Sequence, residues 1–239
     1  MYRPVFHISV VILNLYSFWY DQMYLDFPYP NKEYAELSFK GRQVFLTIWC
    51  FTLQTIYFAV SFLNDIVGTD APAPKKTPLI RTLKDHLFCL AFPVAIYVST
   101  AFWTIYTVDK KLVFPDYIEK IFPVWLNHVL HTLVAVFMFI ELIATRRIYP
   151  SRTFGIFYTL FFSMCYVVYI HLLYAHTKMW PYPIFEVLNL AQRILYFAIS
   201  TVIAIGFYLI GEKLNAAVSK GSTMPYVNGH ANGHMKKNK

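Results

Sequence analysis

Charge is what this chain has least of. Only 14% of its 239 residues are Asp, Glu, Lys or Arg, where a soluble domain carries about 25%. In its place stand 57% hydrophobic and 19% aromatic residues gathered into long runs. That excludes an ordinary soluble domain and predicts an integral membrane protein. Cysteine is scarce too: Cys50, Cys89 and Cys165 all lie in apolar runs without metal or redox spacing, which argues against a disulfide framework. No Asn-x-Ser/Thr sequon marks a glycosylated side. No small-residue cleavage site follows the first apolar run, so a removable signal peptide is not expected. Internal repeats are absent and midplane charges few, which speaks against a transporter. The net charge of +8 comes from loops and the tail, with no basic face interleaved with aromatics, so nucleic-acid binding is not expected.

Six apolar segments are present, near 5–20, 44–63, 87–107, 124–144, 154–173 and 184–210. They predict an all-α integral membrane bundle of about six transmembrane helices over residues 1–215, followed by a disordered cytosolic tail over 216–239. The first segment is short and diluted by His7, Ser9 and Asn14. A full span takes ~17–25 residues, so a re-entrant or interfacial piece is its alternative. Pro93 predicts a kink in the third segment. Trp19, Trp103, Trp125 and Trp180 sit at segment ends, as an aromatic belt requires. With six spans, thirteen Lys and Arg fall on one side and seven on the other, which predicts that both termini are cytosolic. The Pro-rich stretch 70–78 reads as a cytosolic connector. The ending Lys236-Lys237-Asn238-Lys239 fits a retrieval signal read from the cytosol, which favours the endoplasmic reticulum over the plasma membrane.

The fourth segment opens on Asn127, His128 and His131, polar groups in the first turns of a membrane helix. Ionisable groups placed there are expensive and usually functional. Spacings of three and four put all three on one side. Thr47 and His131 lie roughly 6 and 10 Å below their helix starts at ~1.5 Å per residue, at similar depth in the same leaflet. A hydroxyl within reach of an imidazole is the minimum set for nucleophilic attack on an ester carbonyl. Spacing alone favours the plainer reading, in which Thr47 bonds a carbonyl one turn back and His131 joins a neighbouring helix.

The string Pro123-Val124-Trp125-Leu126-Asn127-His128-Val129-Leu130-His131-Thr132 resembles the signature of the androgen-induced and androgen-dependent membrane-protein family. So do Phe45-Leu46-Thr47, Leu90-Ala91-Phe92-Pro93-Val94, Tyr149-Pro150-Ser151, Trp180-Pro181-Tyr182-Pro183 and Gly211-Glu212-Lys213-Leu214-Asn215. The resemblance implies a multi-pass threonine hydrolase of fatty acid esters of hydroxy fatty acids, needing no cofactor, with Thr47 as nucleophile and His131 as general base. Asn127, then His128, are the residues expected to orient His131, and a packing role for either is equally available. The implied partners are a lipid ester within the bilayer and the surrounding lipids.

Arg193 stands alone inside the sixth segment. It is the candidate for holding the free carboxylate of an acidic ester, against snorkelling or pairing with Glu186 or Asp109. Two other functions stay open. One is a zinc enzyme using His128, His131, His171 and His176, although His171 and His176 point apart on a regular helix. The other is a non-enzymatic membrane scaffold or regulator acting through loops and tail.

Overall fold

A computed structural model describes residues 2–29, 36–37, 39–71 and 77–220, with side chains to residue 218. Most of the Pro-rich connector and the tail with its Lys-Lys-x-x ending lie outside the described residues. Six long helices follow one another: α1 (Tyr2–Tyr24), α2 (Leu46–Val67), α3 (Leu79–Asp109), α4 (Val124–Ala144), α5 (Arg152–Thr177) and α6 (Leu190–Lys220). No strand occurs among the described residues. The chain is an all-α membrane bundle, and α2 to α6 are each long and apolar enough to cross a bilayer.

The first helix has the length without the apolarity. Its 23 residues reach ~34 Å, but its buried face carries His7, Asn14, Ser17 and Asp21. Three of them meet partners on α2 and the turn before it in reverse order. His7 Nδ1 lies 2.6 Å from Asp65, Asn14 Nδ2 donates to Thr55 Oγ1 at 3.0 Å, and Arg42 Nε donates to Asp21 at 3.0 Å. So α1 is one continuous helix running antiparallel along the whole of α2. His7 and Asn14, two of the polar residues that made segment 5–20 look too short, lie on its contact face, whereas Ser9 is exposed.

Two other starts move from their predicted positions. The third helix begins at Leu79 rather than 87, because Arg81, Lys84 and Asp85 are buried as partners and not solvated. Arg81 Nε donates to Asp85 at 2.9 Å, and Asp70 accepts from Lys84 and, at 2.8 Å, from Arg3. The helix then continues through Pro93. The sixth helix begins at Leu190 rather than 184, since Ile184–Val187 forms a separate short turn and Leu188 is extended. Asn189 and Gln192 then cap each other's backbone amides at 3.0 and 2.9 Å, a reciprocal capping box.

The third helix is central and packs against α2, α4, α5 and α6. Around it lie the buried rings of Phe51, Phe58, Phe88 and Phe92 and the Met138 side chain. Phe157, Leu172, Leu195 and Val202 face outwards, as lipid-facing positions do. Near the start of α5, a Cβ on Gly155 would fall 2.2 Å from the Tyr208 ring, so the missing side chain sets the close approach of α5 to α6.

The end of the bundle that holds the basic residues is tied by a second carboxylate. Fully buried Glu141 accepts from Tyr57 Oη at 2.6 Å, and lies 2.8 Å from His7 Nε2 and 3.5 Å from Arg147. The Arg147 guanidinium also covers the Phe88 ring at 3.6 Å. Four chain segments thus share one charge, and removing it takes the carboxylate from Tyr57 and Arg147 and leaves His7 with Asp65 alone. Glu141→Ala is expected to cost about 3–5 kcal/mol, read as a large fall in Tm in detergent; an unchanged Tm would show that this cluster does not hold the bundle together.

Candidate active site

The opposite end of the bundle holds the predicted pair. The chain enters α2 through a tight turn in which Phe39, Lys40 and Gly41 all have positive φ (53°, 49° and 74°), backbone that favours glycine. This turn drives Arg42 inward, where it meets Asp21, the Leu25 carbonyl at 3.0 Å and the Phe27 ring at 3.3 Å. Two tyrosines then clamp the first turn of α2. The Leu46 amide donates to the hydroxyls of Tyr166 (3.1 Å) and Tyr182 (3.0 Å), and Tyr166 donates to the Val44 carbonyl at 3.0 Å. Tyr166 comes from α5 and Tyr182 from the loop after it, so three segments fix the height of Thr47.

His131 reaches Thr47 from α4 through an irregularity. Residues Val129–Leu133 form a π-turn inside the helix. Such a turn shifts backbone bonding one residue further, widens the helix, and is frequent at functional sites. Two carbonyls of this stretch accept from side chains. The Asn127 carbonyl accepts from His131 Nδ1 at 3.1 Å, and the His131 carbonyl accepts from Trp103 Nε1 at 3.2 Å. The Asn127 side-chain oxygen lies 2.7 Å from the same Nδ1.

These contacts settle the tautomer. A backbone carbonyl only accepts, so Nδ1 carries the proton and Nε2 presents its lone pair. That lone pair faces the Thr47 hydroxyl at 3.2 Å. The Phe102 ring stacks on the imidazole at 3.6 Å and 11°, leaving it no freedom to turn. Thr47, Asn127 and His131 are all buried. A threonine hydroxyl that donates to an imidazole anchored at its far nitrogen can lose its proton and attack a carbonyl.

What the hydroxyl faces is apolar. A half-open cavity of about 880 Å³, part of it open to the outside of the bundle, runs between α3, α5 and α6. Thr47 and Phe102 line it, whereas His131 does not. Its wall on α3 extends from Val94 to Ile105, ~16 Å along the helix. Tyr182, Tyr166 and Ala204 also line it.

The remaining predicted residues fall elsewhere. His128 is not brought to the pair: it is exposed, with Nδ1 3.0 Å from the Thr132 hydroxyl and its ring against Trp103. Arg193 donates from Nε to the Phe185 carbonyl at 3.0 Å and lies 4.7 Å above the Trp180 ring. It therefore stands behind the cavity wall that Phe185 supplies. The histidines considered for zinc do not converge, and among the described residues no three His, Cys, Asp or Glu are arranged to hold a metal ion. His171 Nδ1 instead donates to the Val167 carbonyl at 2.7 Å. Sequence reasoning missed Phe102, Tyr166 and Tyr182. Only Tyr182 carried a signal, as part of the Trp180-Pro181-Tyr182-Pro183 string.

Comparison with known proteins places this arrangement. The profile described as FAR-17a/AIG1-like protein matches residues 3–216. The androgen-dependent TFPI-regulating protein of Mus musculus is 31% identical over 217 residues, covering 88% of this chain and 90% of that one. Its Homo sapiens counterpart is 34% identical over 176 residues, 73% of this chain and 76% of its own. The Homo sapiens androgen-induced gene 1 protein is 31% identical over 185 residues, 74% of this chain and 78% of its own. No solved structure matches. A profile match over nearly the whole length and relatives above 30% identity say the same thing: this chain belongs to the FAR-17a/AIG1-like family of multi-pass membrane proteins.

Proposed function

We propose that this protein is a membrane-embedded threonine hydrolase that cleaves fatty acid esters of hydroxy fatty acids. The observation that carries the reading is the buried Thr47 hydroxyl, 3.2 Å from His131 Nε2 and open to an apolar cavity. His131 takes the Thr47 proton as Oγ1 attacks the ester carbonyl. The imidazolium then protonates the departing alkoxide, so the hydroxy fatty acid leaves and an acyl-threonine remains. Water, deprotonated by His131, opens that ester, and the proton returns to Thr47 as the fatty acid departs. Asn127 holds the ring in the tautomer that each step needs.

The substrate supplies its own route to the site. An ester of two long chains partitions into the bilayer, and with both termini cytosolic the pair lies in the outer half of the membrane. The acyl chain occupies the apolar cavity. The carboxylate of the hydroxy fatty acid, on the part of the ester that lies outside the cavity, is directed to Arg193 beyond the wall, whose Nη atoms complement a carboxylate. The Lys-Lys-x-x ending favours residence in the endoplasmic reticulum.

An ester-reactive fluorophosphonate probe should label Thr47, and Thr47→Ala should abolish the label and lower ester turnover at least about a thousandfold. Labelling at another residue, or full turnover in Thr47→Ala, would leave a non-enzymatic regulator as the better account. Arg193→Gln should raise KM for the acidic ester about tenfold, the value of one charge-assisted hydrogen bond, and leave the methyl ester of the same compound unchanged; equal effects on both would remove Arg193 from carboxylate binding. Ala204 lies ~21 Å along α6, at the deep end of the cavity. Ala204→Phe should therefore lower kcat/KM for long-chain acyl esters about tenfold or more relative to butyryl esters, and an unaltered chain-length profile would place the acyl chain elsewhere.

A further inference from the structure

Acyl transfer builds negative charge on the carbonyl oxygen, and an enzyme that leaves that charge unmatched forgoes the largest part of its rate enhancement. The surroundings of Thr47 are short of donors. His131 offers only the lone pair that removes the Thr47 proton, Asn127 is turned to the far side of the imidazole, and the cavity walls are almost wholly hydrocarbon. Other hydroxyls line the cavity, among them Tyr97, Tyr196, Ser163 and Ser200, but Tyr166 and Tyr182 are the two that bond the Leu46 amide, next to Thr47.

Their protons are placed differently. Tyr166 donates to the Val44 carbonyl at 3.0 Å, so its proton holds the turn before α2. The Tyr182 oxygen accepts the Leu46 amide at 3.0 Å, and the hydroxyl lies beside the Tyr166 hydroxyl and the Thr47 side chain and amide. Because Tyr166 commits its own proton to the Val44 carbonyl, the Tyr182 O–H is the one of the two that can donate toward the reacting centre. We propose, resting on the hydrolase reading above, that Tyr182 is a further catalytic residue, whose hydroxyl donates to the carbonyl oxygen of the ester as Thr47 attacks.

Three features suit it to that role. Burial, the largest influence on its phenol, raises the pKa above the usual tyrosine value, so the group keeps its proton throughout the working pH range. The ring is locked between Phe45 and Phe185, with centroids 5.5 and 6.0 Å away, so the donor is in place before substrate arrives. The residue also comes from the loop after α5 while nucleophile and base come from α2 and α4. The reacting centre is therefore complete only when that loop is docked. In the balanced step the Tyr182 proton is shared with the oxyanion but not transferred. It stays on the phenol as the carbonyl re-forms and the alkoxide leaves with the His131 proton.

The test compares Tyr182→Phe, Tyr166→Phe and Thr47→Ala in the full-length protein purified in detergent. Tyr182→Phe should lower kcat about 10²–10³-fold, the loss of one oxyanion donor, with KM within about threefold of wild type. A trifluoromethyl ketone carrying the same acyl chain, which forms an oxyanion on Thr47, should lose affinity by the same factor. The corresponding secondary alcohol, which forms none, should bind as before. Tyr166→Phe should change Tm more than kcat. Should Tyr182→Phe fold poorly, 3-fluorotyrosine at position 182 keeps the shape and strengthens the donor. It should then leave Tm alone and move the alkaline limb of the pH–kcat profile to lower pH. Inactive Thr47→Ala beside fully active Tyr182→Phe, or a fluorotyrosine protein with an unshifted profile, overturns the role of Tyr182 alone. Full activity in Thr47→Ala, or no ester turnover by the wild type, overturns the hydrolase reading and this inference with it.

Discussion

A polar group surrounded by hydrocarbon must find its partner inside the protein, and every unusual feature of this bundle follows from that constraint. The Thr47–His131 hydrogen bond is its sharpest expression. It needs a hydroxyl at the first turn of α2 and a lone pair at the same depth on α4. The π-turn at Val129–Leu133 carries the second, and the Asn127 carbonyl and side-chain oxygen anchor its Nδ1.

The two ends of the bundle answer the constraint in different ways. At the basic end, Glu141 and Asp70 each gather several partners from separate segments, making a rigid base from groups that individually are unfavourable in a membrane. At the other end the partners are tyrosine and tryptophan, which bond through one polar atom and present an apolar body to the lipid. That leaves the Thr47 surroundings apolar on the cavity side and polar where Thr47 meets His131.

Much of this was legible in the sequence. The low charge content and the apolar runs implied the all-α membrane bundle, and three- and four-residue spacings put Asn127 beside His131 because a helix turns every 3.6 residues. The equal depth of Thr47 and His131 followed from counting residues below each helix start. Helix starts were misjudged wherever charge was buried by pairing, as at Arg81, Lys84 and Asp85, since apolarity along the chain cannot register a partner fourteen or sixty residues away. The polar face of α1 was misleading for the same reason.

By itself, then, the sequence determined which segments enter the membrane, how deep each functional side chain lies, and that a hydroxyl and an imidazole share one leaflet. Only the tertiary structure decided which of them meet. It turned His128 outward, carried Arg193 behind the wall of the cavity, and brought Tyr166, Tyr182 and Phe102 around Thr47 and His131. Depth is a one-dimensional property, fixed by distance along a helix of known rise. Adjacency across the bundle depends on which faces pack, and packing is settled by the shapes and partners of all six helices at once.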